Sequence, residues 1–297
     1  MTVGSRSRRL CLAAALLAAA VLAGGCRSWS SRESLAAEAF GRGNSLREAG
    51  DADGAGAAYR EALALEPDFH AAAFNLALLE RDAGRFESAL GILGRLRDAD
   101  PGNLTVLDAL GRTAWDAGDP EASLGYYREA LSVFEADPGA LEGAAVVLEN
   151  LGRPEESLRY RRILADRRGS AADRAALAAA LRDSGDAAGS RSVLEEALAA
   201  YPGDDGLRAQ AALYAEEDGD WKAALRHWSV LIGAGGSAEA RWHRGVIRLT
   251  ESLDYAGGLE DVRAAVSAGF ADEGAEADLV SRVRPDLRGD LREIFGL

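Results

Sequence analysis

From about residue 35 to about residue 270, apolar residues recur at the three- and four-residue spacing of amphipathic helices. Glycines interrupt this pattern at spacings of 34, 34, 34, 33 and 34 residues: Gly50, Gly84, Gly118, Gly152, Gly185 and Gly219. An apolar segment precedes and follows each of these glycines. A glycine in that place is typical of the left-handed residue that ends a helix. The pattern therefore predicts an all-α chain of helix–turn–helix repeats.

The prolines support the same repeat. Pro120 and Pro154 each follow a loop glycine by two residues, and we expect them at the first helical position, where no backbone N–H is needed. Four others are expected to stop the second helix of a unit: Pro67, Pro101, Pro138 and Pro202. Six of the seven prolines are thus predicted at helix boundaries.

These spacings resemble the tetratricopeptide repeat (TPR) family, in which helical hairpins of 34 residues stack on one another. The first three units have small residues, leucines and tyrosines at the places where the family has its consensus residues. These are Gly43, Ala55, Tyr59 and Ala62, then Leu76, Ala77, Ala89 and Leu93, then Leu110, Gly111, Tyr127 and Ala130. Ser123 stands where the family has alanine. The resemblance implies an α-solenoid of about seven repeats over residues 35–270, and the seventh repeat lacks its loop glycine.

The last part of the chain, residues 271–297, is predicted to be a C-terminal capping helix. Its apolar stripe consists of Leu279, Val283, Leu287, Leu291, Ile294 and Phe295. Terminal elements of a repeat array are expected to be atypical because they have only one neighbour.

The first 25 residues predict a signal peptide. Arg6, Arg8 and Arg9 precede an apolar run, and small residues precede Cys26. Only 16 uncharged residues, from Leu10 to Gly25, lie between Arg9 and Cys26, whereas a membrane-spanning helix needs about 20. The stretch 22–26 resembles a bacterial lipoprotein lipobox, which implies cleavage before Cys26 and lipidation of that cysteine. An ordinary signal peptide with an incidental cysteine is the alternative.

If Cys26 carries lipid, residues 26–34 form a polar tether to the membrane. Loss of residues 1–25 with their three arginines would take the net charge from −14 to −17. Anionic headgroups repel such a body, so the lipid itself would hold the protein at the membrane. By resemblance, Arg27 beside the cysteine favours the outer membrane over the inner one. We therefore expect a lipid-anchored protein of the bacterial cell envelope, on its periplasmic or surface side.

Composition and motifs exclude several other functions. A hydrophobic content of 48% is sufficient for a buried core, and the acidic balance argues against nucleic-acid binding. Two cysteines cannot form a four-cysteine zinc site. The histidines His70, His227 and His243 have no metal-ligand spacing, and neither a nucleophile elbow nor a P-loop is present. We predict no enzymatic activity, no cofactor and no metal.

In TPR proteins the first helix of each hairpin lines a concave groove that binds a partner. Carried onto the first three units, those positions are Phe40, Asn44, Arg47, Phe74, Asn75, Leu78, Arg81, Asp108, Arg112 and Trp115. Aromatic residues and arginine are enriched at binding hot spots. The matching positions of later units are blander: Glu142, Val146, Glu149, Ala175, Ala179, Arg182, Ala209 and Leu213. We therefore place the partner site in the N-terminal half.

Each of these residues also has a structural interpretation. Phe74 and Asn75 are compatible with ordinary helix packing. Arg47, Arg81 and Arg112 are compatible with solvated charges that complement the helix dipole.

The sequence favours a membrane-tethered scaffold or adaptor that binds a partner segment in its groove. By analogy with TPR lipoproteins, it would assist the assembly of an envelope complex, such as a pilus, a secretion system or the outer-membrane biogenesis machinery. The alternative is a small-ligand-binding or transporter-accessory lipoprotein, which a closed apolar pocket would favour.

Overall fold

Glycine loops and acidic caps define the helices of this chain, as the sequence predicts. The six loop glycines all have positive φ, between 67° and 89°. The aspartate after four of them caps the next helix by accepting a hydrogen bond from the backbone amide three residues later: Asp51, Asp119, Asp186 and Asp220. Such caps satisfy amides that have no partner within the helix.

The computed structural model describes residues 31–235, 237–270 and 273–296, which form α-helices joined by short loops, with one 3-10 turn. The predicted signal peptide, Cys26 and residues 26–30 of the tether lie outside the described residues. Residues 31–34, the rest of the predicted tether, belong to the first helix instead, which includes residues 31–48 (α1). Ser31, Arg32 and Glu33 suit an exposed first helical turn as well as a tether.

The chain divides into two compact units, and the first ends at Leu151. After α1, this unit contains six helices: α2 Ala52–Leu65, α3 His70–Asp82, α4 Phe86–Ala99, α5 Leu104–Asp116, α6 Pro120–Val133 and α7 Pro138–Asn150. From α2 to α7, each helix packs against the next along the chain, and α3 also touches α5, as α5 touches α7.

The second unit begins at Gly152. It contains α8 Pro154–Arg167, α9 Ala171–Asp183, α10 Ala187–Ala200, α11 Asp205–Glu217, α12 Trp221–Gly233, α13 Ala238–Thr250, α14 Tyr255–Ser267, α15 Glu273–Arg282, the 3-10 turn Pro285–Leu287 and α16 Arg288–Phe295. Neighbouring helices from α8 to α14 again pack in chain order. The predicted all-α solenoid of helical hairpins is confirmed.

Small residues opposite large aromatic residues allow the helices to approach closely. A Cβ added at Gly43 would lie 2.5 Å from the Tyr59 ring, and one at Gly111 would lie 2.7 Å from Tyr127. Both tyrosines are buried. The predicted pairing of glycine with a bulky partner is therefore what closes these hairpins.

Proline positions match the prediction except at one place. Helices α2, α4 and α10 end just before Pro67, Pro101 and Pro202. Pro138, however, opens α7 rather than ending α6, because Asp137 caps that helix and leaves proline at its first position.

The C-terminal cap differs from the single helix that the pattern predicts. Arg284 has an extended backbone, with ψ of 146°, because it precedes Pro285. The cap is therefore split into α15, the 3-10 turn and α16. Four residues of its apolar stripe are nevertheless buried, and Ile294 and Phe295 are partly buried against them. Trp242 stacks on Phe270 beside the stripe, with ring centroids 4.9 Å apart.

Candidate partner-binding cleft

The ten predicted partner residues lie on α1, α3 and α5, the first helices of three successive hairpins in the first unit. The structure divides them into separate groups. One group surrounds Tyr59, one residue lies in a shallow pocket, and four residues share a cleft with α7.

Around Tyr59, the predicted residues bind one another. The Tyr59 hydroxyl donates to Asn44 Oδ1 at 2.8 Å, and Asn75 Nδ2 donates to the same oxygen at 3.0 Å. Phe40 packs between Tyr59 and Phe69, with ring centroids 5.8 and 5.0 Å away. This group therefore fits the alternative interpretation of these positions, in which they serve packing.

Three further predicted residues lie elsewhere. Phe74 lines a shallow pocket of about 310 Å³ between α3 and α5, together with His70 and Val106. Leu78 is half-buried and Arg47 is exposed. None of the three lines the cleft described next.

The remaining four residues, Arg81, Asp108, Arg112 and Trp115, line a cleft of about 370 Å³. Helix α7 supplies the opposite wall, and Tyr127 of α6 contributes to the lining as well. We call this the α5–α7 cleft. Its other lining residues are Asp116, Gly139, Glu142, Gly143, Val146 and Val147.

Comparison of two tyrosines shows how the surroundings of Tyr127 differ from those of Tyr59. Tyr127 stands two repeats after Tyr59, and the residues that match Asn44 and Asn75 in this register are Arg112 and Gly143. At Tyr59 the two asparagines cover the hydroxyl. At Tyr127 the second position has no side chain, and a Cβ added to Gly143 would overlap the ring. Gly143 thus leaves room for the Tyr127 ring to pack directly against α7, where the first hairpins have an asparagine.

Charges of both signs surround this cleft. Arg112 Nε lies 3.1 Å from Asp108 Oδ2, one helical turn away. Arg81 pairs with Asp82 at 2.9 Å and lies 3.7 Å from Asp116. These partly exposed pairs are individually weak, so a bound group can compete for the guanidinium donors.

The phenol of Tyr127 stays protonated at neutral pH. Burial raises the pKa of Tyr127 to about 12, and the nearby Asp108 adds to this effect. The cleft therefore combines a neutral phenol, two arginines, the indole of Trp115 and the half-exposed Val146. Such a surface suits a segment with an apolar anchor and a neighbouring acidic group.

Sequence reasoning missed the α7 side of the cleft. Glu142 and Val146 belong to the positions described as bland, and Tyr127 counts there only as a core residue. The register carries one related signal, since Gly143 aligns with Asn75 and leaves room for the Tyr127 ring beside α7.

Two features of the described residues bear on other functions. Within residues 31–235, 237–270 and 273–296, no three histidine, cysteine, aspartate or glutamate residues are placed to hold a metal ion. None of the helices in those ranges combines the length and apolar character that crossing a bilayer requires.

Comparison with known proteins identifies the repeats. Residues 46–112 match one tetratricopeptide repeat model and residues 109–172 match another. Among curated proteins, the chain is 28% identical over 155 residues to cellulose synthase operon protein C of Xanthomonas axonopodis pv. citri. That match covers 49% of this chain and 10% of the relative, so the chain spans about a tenth of the relative's length.

Solved structures share the fold at low identity. A tetratricopeptide repeat protein from Parabacteroides merdae is 17% identical, with a TM-score of 0.56, and the match covers 91% of this chain and all of that one. Pseudomonas aeruginosa pilF is 18% identical, with a TM-score of 0.53, and the match covers 71% of this chain and 97% of that one. PilW, a type IV pilus biogenesis factor, is 15% identical, with a TM-score of 0.51, and the match covers 66% of this chain and 91% of that one. Residues 46–172 thus match tetratricopeptide repeat models, and that fold typically serves as a non-enzymatic protein-interaction scaffold.

Proposed function

We propose that this protein is a non-enzymatic scaffold that binds a segment of a partner protein in the α5–α7 cleft. The observation that carries the proposal is the cleft of about 370 Å³ in which residues of α5 and α7 face each other beside Tyr127. Arginine donors, an indole and an exposed valine converge there. A surface of this kind binds a short segment without any catalytic group.

The partner segment that fits this cleft is extended and places an acidic side chain beside an apolar one. The acidic group would compete for Arg81 and Arg112, whose present ion pairs are partly solvent-exposed. The apolar group would cover Trp115 and Val146. Like-charge repulsion from Asp108, Asp116 and Glu142 would select against segments with a long acidic run.

We further propose that lipid on Cys26 tethers the scaffold to the bacterial envelope, with the outer membrane favoured. The sequence of residues 1–26 supports this anchor. The structural likeness to pilF and PilW supports only the fold, but together with the anchor it makes the assembly of an envelope machine the favoured role. The partial match to a cellulose synthase operon protein is compatible with that role.

The binding proposal is tested by reversing the charge of one exposed cleft residue and replacing an exposed apolar one with a charged residue. Arg112→Glu with Val146→Glu should reduce capture of the partner by about tenfold or more, since it removes a charge-assisted contact and an apolar one. Both side chains are exposed, so the fold should persist. Partner capture is measured by crosslinking in intact cells followed by mass spectrometry of the purified complexes.

A matched control exists in the same unit. Arg95 on α4 and Val133 on α6 are also exposed, and neither lines the cleft. Arg95→Glu with Val133→Glu should leave capture at the wild-type level. Equal loss in both double variants, or undiminished capture by the cleft variant, would contradict this assignment of the site.

A further inference from the structure

A second cavity lies in the second unit, between α10, α11 and α12. Its volume is about 300 Å³, at the lower end of the range of small-molecule sites. Leucine and alanine side chains line it together with charged side chains. We call it the α10–α12 pocket. Its apolar lining residues include Leu194, Leu198, Ala211, Ala215 and Ala223.

Most of its carboxylates are already committed to partners. Asp218 accepts from Arg182 at 2.7 Å and from Arg191 at 2.9 Å. Asp220 caps α12 by accepting the backbone amide of Ala223 at 3.0 Å. Glu195 is the remaining carboxylate of the lining, and it is exposed.

Two cations of the pocket form no ion pair of this kind. Lys222 and Arg226 lie one turn apart on α12, and neither forms an ion pair with a described carboxylate within 4 Å. Arg182 also pairs with Glu217 at 2.6 Å, so Asp218 and Glu217 together balance Arg182 and Arg191. Lys222 and Arg226 are therefore the cations of the lining whose charge is open to a ligand.

His227 adds an unused hydrogen-bond donor. Burial lowers the pKa of His227, and the nearby Arg226 and Arg208 lower it further, so the ring is neutral at neutral pH. Its Nε2 lies 3.5 Å from an Arg226 nitrogen, which can only donate. Nε2 then accepts and Nδ1 carries the proton. Nδ1 is buried with no hydrogen-bond partner among the described residues, a condition that calls for an acceptor.

We propose that the α10–α12 pocket binds a small amphiphilic anion, namely a carboxylate attached to an apolar chain. The carboxylate would lie near Lys222 and Arg226. The apolar chain would lie against the leucine and alanine side chains. This site is independent of the α5–α7 cleft and of any partner bound there.

The test uses decanoate as the probe and 1-decanol as its uncharged match. With the purified full chain, calorimetric titration should show saturable 1:1 binding of decanoate. The affinity for decanol should be at least about tenfold lower, because decanol lacks the charge-assisted contacts. Equal affinity for the two probes, or no saturable binding of decanoate, would overturn the proposal.

Variants assign the binding to this pocket. Lys222→Gln with Arg226→Gln should weaken decanoate binding by about tenfold and leave decanol binding unchanged. Arg263→Gln, an exposed arginine of α14 outside the pocket, should bind decanoate as the wild type does. Circular dichroism and the thermal midpoint verify that each variant folds. Unchanged decanoate affinity in the folded double variant would place the ligand elsewhere.

The sequence offers an additional readout that requires no mutation. Lys222 is the only lysine of the chain, so amine acetylation reports on one side chain. Saturating decanoate should slow acetylation of Lys222 severalfold, as measured by peptide mass spectrometry, whereas decanol should not. An acetylation rate that decanoate leaves unchanged would show that the carboxylate does not reach Lys222.

Discussion

At the residue scale, one position shows what the repeat demands of its loops. In six hairpins, the residue before the N-cap of the second helix is a glycine with positive φ. In the seventh hairpin this residue is Leu253, with φ of 56°. Leu253 is also 62% exposed, so packing does not compensate for this conformation. A left-handed backbone costs a residue with a Cβ about 1–2 kcal/mol.

Leu253→Gly should therefore raise the free energy of unfolding by about 1 kcal/mol, after allowance for the greater freedom of glycine in the unfolded chain. Urea denaturation followed by circular dichroism measures the change. Leu253→Ala is the matched control, because it removes the exposed side chain but retains the Cβ. If Leu253→Ala raised the free energy of unfolding as much as Leu253→Gly does, backbone strain would not be the cause.

The loop glycines and most caps could be predicted from the sequence because each depends on a few consecutive residues. Leu253 could not, since leucine carries no signal for positive φ. The roles of Asn44 and Asn75 also stay hidden in the sequence. Both asparagines suit a binding groove equally well, and only the hydrogen bonds to Tyr59 show that they bind each other.

At the element scale, the start of α9 shows how a helix is fixed where no loop glycine of the 34-residue series precedes it. Ser170 and Asp173 form a capping box, and the Arg168 side chain donates to the same carboxylate at 2.8 Å. The hydrogen bonds from Arg168 lower the pKa of Asp173, and those from Ser170 assist. Asp173 is buried, whereas Arg168 is partly exposed.

Because the folded-state pKa of Asp173 lies below its unfolded value, its charge stabilises the fold at neutral pH. Asp173→Asn should lower the free energy of unfolding by about 1 kcal/mol at pH 7, allowing for the exposure of Arg168. The deficit should shrink as the pH falls below about 4, where the carboxyl becomes protonated first in the unfolded chain and, at lower pH, in the folded one. Urea titrations at pH 7 and pH 3 measure it.

Asp166→Asn serves as the control for this effect, since Asp166 is exposed on the preceding helix. It should change stability little at either pH. A deficit for Asp173→Asn that stays constant between the two pH values would mean that the carboxylate charge is not responsible.

Helix existence could be predicted from periodicity, but some boundaries could not. Pro138 suits the end of one helix or the start of the next, and the choice depends on whether Asp137 caps α7. The split of the C-terminal cap likewise depends on Pro285. Its apolar stripe continues across the break, so hydrophobic spacing alone indicates one helix.

At the scale of the whole molecule, the all-α class follows from a local period repeated many times, which makes it predictable. The α5–α7 cleft is less predictable because its lining residues come from four helices, α3, α5, α6 and α7. The α10–α12 pocket depends on which carboxylates of its wall are already paired. Pairing of that kind is set by the packing of several helices.

Membrane attachment belongs to the same scale, since the net charge of −14 opposes adsorption to anionic lipid. If lipid on Cys26 is the anchor, Cys26→Ala should shift the protein from the membrane pellet to the soluble fraction after cell lysis. Immunoblots of the two fractions measure the shift. Wild-type-like pelleting of the variant would refute the anchor but leave the cleft unaffected.

Site-specific photo-crosslinking in living cells tests the central claim most directly. Val146 lies in the cleft and is 39% exposed, whereas Val133 of the same unit lies outside it and is 49% exposed. With p-benzoylphenylalanine at position 146, irradiation should link the protein to one predominant partner, identifiable by mass spectrometry. At position 133 that adduct should be absent. The same adduct at both positions, or none at position 146, would contradict the proposal that the α5–α7 cleft binds the partner.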